Sequence, residues 1–219
     1  MRNSRRSLLA FVWGMVVSVA AASAATPGAS DSGVVPLAGA AQQAMLWVVR
    51  QGDHRGRPFA IVDKQRAQIH VFEPSGAMVG ATPVLIGLTA GDRDAVPNFG
   101  NRSVASLAAH ERTTPAGRFD SEPGHNDKGE AIVWFDYDAA LAIHRLRPAP
   151  AHERRPQRMA SAEAAERRIT YGCVVVPVAF YQDVIAPTLG RRRGVVYVLP
   201  EQGSLEAMLR GAEVALSAP

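Results

Sequence analysis

A single cysteine in 219 residues is the first constraint on this chain. It excludes an intramolecular disulfide framework and any multi-cysteine zinc or iron–sulfur site. Histidines do not fill that gap. His70, His110, His125 and His152 are scattered, and their spacing matches no metal-site signature. Long apolar runs are missing after the N-terminal region, so no later segment is expected to cross a bilayer. No internal repeat is visible. What the chain has in quantity is glycine (19) and proline (15), too many for a helical bundle and a sign of many turns. Hydrophobic residues at 47% and charged residues at 20% fit a globular domain with a real core.

The basic excess belongs to the start of the chain. Arg2, Arg5 and Arg6 precede an apolar stretch from Leu8 to Ala22, which closes on Ala22-Ser23-Ala24. A basic start, a short apolar centre and a small-residue end predict a secretory signal peptide over 1–24. Ser4-Arg5-Arg6 before Leu8 and Leu9 leaves the choice between general and twin-arginine export open. Cleavage after Ala24 leaves 21 basic against 20 acidic residues. Nucleic-acid binding then has no compositional support, and no stable membrane span remains. The expected location is the periplasm or cell envelope.

Residues 25–44 read as a flexible lead-in, 45–205 as the main domain and 206–219 as a C-terminal helix or tail. Within the lead-in, Thr26 to Leu37 is rich in Gly, Pro, Ser and Ala. Ala40 to Val49 fits a helix or a strand equally. From Pro58 the pattern is β-like. Phe59–Asp63 and Ala67–Phe72 are strands joined by Lys64-Gln65-Arg66, and Met78 to Ile86 is another apolar run. Ile132–Phe135, Leu141–His144, Gly172–Val176 and Gly194–Leu199 follow, with helices expected over Phe180–Leu189 and Ser204–Leu216. The sum predicts a mainly β sandwich or barrel with a few peripheral helices. Arg145 to Arg168 holds seven arginines against three glutamates. It reads either as a solvated, partly helical loop or as a basic flap over a site for an anion.

Cys173 follows Gly172, which permits a tight turn and close approach of a ligand to the backbone. A free thiol titrates near 8.5, so a nucleophile needs a neighbouring base or cation. His144, at the end of an apolar strand, is the best-placed base, and the pair is expected to make the thiol reactive below pH 8. The alternatives stay open: free cysteines are often small buried hydrophobes, and His144 fits a hydrogen-bonded core histidine. Asp136, Asp138 or a backbone carbonyl could orient the imidazole. Trp134 and Tyr137 fit core or rim aromatics, or a glycan-stacking surface.

Four segments in order resemble the YkuD-type L,D-transpeptidase catalytic domain. Thr170-Tyr171-Gly172-Cys173 resembles its [S/T]-x-G-C signature, and Thr114-Pro115-Ala116-Gly117-Arg118-Phe119 its T-P-x-G-x-F segment. Ile143-His144 is similar to its histidine strand, and Phe59–Phe72 to its opening hairpin. The resemblance spans roughly Pro58 to Pro200. It implies an exported cysteine acyltransferase acting on peptidoglycan stem peptides, as transpeptidase or carboxypeptidase, through a thioester on Cys173. Cys173 would be the nucleophile and His144 its base. Thr170 would sit beside the site, and Gly172 with Cys173 would supply backbone donors to the oxyanion. Tyr171 and Arg145 are candidate substrate-binding residues. No metal or organic cofactor is implied. Two departures mark this chain. Tyr171 stands where members have histidine, and Val175 where they commonly have Arg or Asn, so Arg145 is the expected replacement cation. The alternative is a peptidoglycan-binding module that keeps the fold without the chemistry.

Overall fold

A computed structural model describes residues 37–92 and 106–217. The expected signal peptide, most of the lead-in and most of the polar loop after Gly91 lie outside the described residues. Among the described residues ten strands carry the fold: β1 (Phe59–Asp63), β2 (Gln68–Phe72), β3 (Met78–Pro83), β4 (Ile86–Gly87), β5 (Gly117–His125), β6 (Ala131–Asp136), β7 (Leu141–Arg145), β8 (Arg168–Thr170), β9 (Val174–Val176) and β10 (Gly194–Val198). Eight form one sheet in the order β3-β2-β1-β10-β5-β6-β7-β9, and β4 pairs with β8. Leu85, between β3 and β4, exchanges two backbone hydrogen bonds with Val175 of β9, so the two edges of the large sheet nearly meet. The mainly β architecture read from the sequence is the one observed.

The central strands β1 and β10 run parallel and are buried throughout. Strand alternation explains why both can be apolar at every position. Ala60, Val62, Val196 and Val198 enter the inner core with Val133, Ile143, Val174 and Ile185. Phe59, Ile61, Val195 and Tyr197 enter a second core on the other face. Helix α1 (Gly39–Gln51) covers that second face through Ala41, Ala44 and Val48, at helical spacing. Each large apolar side chain so buried stabilises the fold by roughly 1.5–3 kcal/mol. The segment 40–49 is therefore helical, and it crosses the boundary read at residue 44. Helices α2 (Arg155–Ala160), α3 (Val178–Phe180, continued by a π turn over Tyr181–Ile185) and α4 (Leu205–Ser217) are peripheral.

Strand β5 was not apparent from composition. It contains Gly117, Pro123 and Gly124, and most of its side chains are exposed or half-buried. It nonetheless bridges the two halves of the sheet, pairing β10 through Gly117–Ser121 and β6 through Glu122–His125.

Candidate active site

The site forms where β7 and β9 lie side by side. The pair is parallel, with His144 opposite Val175. Cys173 stands two residues before Val175, at the entry to β9. Both His144 and the sulfur residue open onto a groove of about 470 Å³, together with Trp134, Arg147, Arg155 and Tyr171. Two residues 29 positions apart in the chain are thus brought to one surface by strand register.

The turn carrying Cys173 is built by Thr170 and Thr114. Gly172 sits at φ +133°, in the region that favours glycine, and a Cβ there would come within 2.7 Å of Leu141 Cδ2 and 3.0 Å of Thr113 O. Thr170 Oγ1 donates to Cys173 O at 2.7 Å and accepts from Gly172 N–H at 3.1 Å. The Gly172 amide is therefore engaged within the turn. This corrects its expected place in an oxyanion hole and leaves the Cys173 amide as the candidate donor. Thr114, from the T-P-x-G-x-F segment, donates from Oγ1 to Gly172 O at 2.9 Å and accepts from Gly87 N–H at 2.9 Å. Gly87 permits this approach: a Cβ there would lie 2.5 Å from Thr114 N. Thr114 O in turn accepts from Lys64 Nζ at 2.9 Å. Lys64 is buried, with further bonds to Gly91 O and Asp92 Oδ1 at 2.5 and 2.8 Å. A lysine in a polar hairpin turn reads from sequence as solvated, so this support was missed.

His144 is 8% exposed. Its Nδ1 lies 2.8 Å from Arg145 O. A carbonyl can only accept, so Nδ1 carries the proton and Nε2 is left as the acceptor. A backbone carbonyl, rather than Asp136, orients the ring. Asp136 instead accepts from Ala139 N–H in the β6–β7 turn. Burial and then the Arg147 charge pull the imidazole down to about 4, so it is neutral at pH 7. Burial pushes the Cys173 thiol up, against the opposing effects of the Ala142 amide, Arg147 and Arg155. The residue is only partly buried, and its thiol donates to Ala140 O at 3.6 Å. The resting pair is therefore thiol and neutral imidazole. The thiol expected to be reactive below pH 8 is not what this environment favours. A thiol can still act as a nucleophile by losing its proton to a neutral base as it attacks.

Arg145 is not part of the groove. It follows His144 on the same strand and so points to the other side. Its Nε donates to Glu130 Oε1 at 2.6 Å. The groove receives Arg147 instead, from the strap that follows β7, and Arg155, the first residue of α2. Tyr171 lines the groove and lies under the Arg112 guanidinium, 4.6 Å from the ring centroid. Val175 is fully buried with Leu85 and Met159, so packing occupies the position where a polar residue was absent. His70 is buried, and His110, His125 and His152 are exposed. No group of three metal-ligating side chains occurs among the described residues.

No family model and no curated protein sequence matches this chain. Solved structures similar to it include the catalytic domain of an E. faecium L,D-transpeptidase, at 15% identity and TM-score 0.38, covering 66% of this chain and 98% of that one. The helical cell-shape determining protein Pgp2 of Campylobacter jejuni is similar at 11% identity and TM-score 0.42, over 78% of this chain and 60% of that one. An L,D-transpeptidase of Xylanimonas cellulosilytica is similar at 17% identity and TM-score 0.38, over 65% and 60%. The chain thus spans three-fifths of the length of the latter two.

Proposed function

We propose that this protein is an exported cysteine acyltransferase acting on peptidoglycan stem peptides, as an L,D-transpeptidase or L,D-carboxypeptidase. The observation that carries the reading is the shared groove of Cys173 and His144, with Nδ1 of the imidazole fixed by Arg145 O. The motif resemblance supplies the substrate class: the bond between a diamino acid and a terminal D-alanine.

In the first half-reaction the Cys173 thiol passes its proton to His144 Nε2 as sulfur attacks the scissile carbonyl. The Cys173 amide faces the developing oxyanion. The intermediate collapses with loss of the amine, which takes the proton from His144 and leaves as D-alanine. A thioester remains on Cys173. In the second half-reaction His144 removes a proton from the acceptor, which attacks the thioester and restores the thiol. An amine from another stem gives a cross-link, and water gives a shortened stem. The neutral imidazole suits both steps, since it must accept a proton each time.

Incubation of the purified protein with tetrapeptide-containing muropeptides, followed by mass analysis, tests the reading. Loss of one D-alanine or formation of a dimer is expected, and either is abolished by Cys173→Ala and His144→Ala. Folded protein that binds these fragments without changing them would establish the binding-module alternative instead.

A further inference from the structure

The cationic lining of the groove comes from neither β7 nor the cysteine turn. It comes from Arg147 and Arg155, near the two ends of the strap that joins β7 to α2, and both line the groove with Cys173 and His144. Arg155 Nε donates to Glu153, and Arg147 Nε lies 2.5 Å from Glu130 Oε2 in an ion pair without hydrogen-bond geometry. A guanidinium has five N–H donors in a planar fork. For Arg155, held at Nε, the terminal nitrogens remain suited to a second carboxylate and the hydrogen bond fixes their direction; for Arg147 the Glu130 charge keeps the guanidinium at the groove. The side chains are 36% and 16% exposed, partly withdrawn from water, where charge-assisted hydrogen bonds are stronger. Both charges reach the reactive pair, opposing protonation of His144 and favouring the anion of Cys173. Asp127 and Glu153 also line the groove, so attraction must come from aimed donors rather than from a broad positive field.

We propose that Arg147 and Arg155 form a carboxylate-binding end of the groove, which selects acyl donors whose leaving group ends in a free carboxylate. The identity of the donor rests on the acyl-transfer reading above; the anion site does not. With Val175 buried in a hydrophobic cluster and Arg145 not among the residues that line the groove, Arg147 and Arg155 are the arginines beside the sulfur.

Iodoacetate and iodoacetamide test the anion site without any turnover. Both alkylate the sulfur, forming a carbon–sulfur bond and releasing iodide and a proton, and they differ only in carboxylate against carboxamide. The ratio of their rates in the folded protein should exceed that of the urea-unfolded chain by at least about tenfold. Arg147→Gln and Arg155→Gln should each bring it toward the unfolded value. Arg193→Gln, which removes an exposed charge elsewhere, should leave it unchanged. Equal ratios in folded and unfolded wild-type protein overturn the proposal, whatever the variants do. Paired muropeptide donors ending in D-alanine or D-alanine amide then test selection. The carboxylate donor should be favoured about tenfold in kcat/KM, and Arg155→Gln should erase the preference. Equal use of both donors overturns the selection and leaves acyl transfer standing. An alkylation preference with neither donor consumed overturns the acyl-transfer reading, and donor selection with it.

Discussion

Replacing His144 with glutamine should change how stability depends on pH. In the folded protein the imidazole titrates at about 4 because it is buried and faces Arg147, against about 6.5 when unfolded. The folded state therefore resists a proton that the unfolded chain accepts readily. Stability is fully present above 6.5, falls as pH drops through the window from 6.5 to about 4, and levels once the folded imidazole also charges. At 1.36 kcal/mol per pH unit, that window is worth about 3 kcal/mol. Glutamine does not titrate, and its amide can still donate to Arg145 O. Urea unfolding of both proteins at pH 7, 6, 5 and 4 isolates the effect, since every other titratable group is common to the two. The stability difference between wild type and His144→Gln should shift by about 3 kcal/mol against wild type from pH 7 to pH 4. Parallel curves would mean an ordinary imidazole and would refute the description of His144 as a buried neutral base.

Three further outcomes follow from the same geometry. Because burial pushes the thiol up, iodoacetamide should alkylate Cys173 more slowly at pH 7 in the folded protein than in urea, with the rate still rising above pH 9; faster labelling when folded would contradict this. Thr114→Val strands Gly87 N–H and Gly172 O without their hydroxyl, which should lower stability by about 1–3 kcal/mol per unsatisfied group; thermal melts measure it, and turnover should fall as the cysteine turn loosens. Gly172→Ala forces a Cβ to 2.7 Å from Leu141 at a positive φ, so it should cost about 1–3 kcal/mol and abolish donor consumption. Wild-type turnover in that variant would show that the turn is not held as described.

Much of the β architecture was legible because burial leaves a simple trace. β1, β2, β6, β7 and β10 are apolar runs bounded by turn residues, and their composition announced them. β5 was not legible, since a strand with Pro123 and two glycines gains its place from pairing with β10 and β6 rather than from its own side chains. The candidate site was legible in its parts: the Gly-Cys turn, the histidine strand and Thr114. Their meeting depends on the β7–β9 register, a contact between distant segments that periodicity does not encode. Arg145 departs from its expected place. Strand parity places consecutive side chains on opposite faces, so the residue after a groove-facing histidine faces away, and the strap had to turn before Arg147 could return. Lys64 left no trace at all, because its burial comes from Asp92, Gly91 and Thr114, well removed along the chain.

The most direct measurement is the mass of the protein itself, quenched in acid within the first turnover on a tetrapeptide donor. An acyl group should be found on the Cys173 peptide, released by hydroxylamine, with one free D-alanine per adduct. Unmodified Cys173 during active D-alanine release, or equal release by Cys173→Ala, would contradict catalysis through this sulfur.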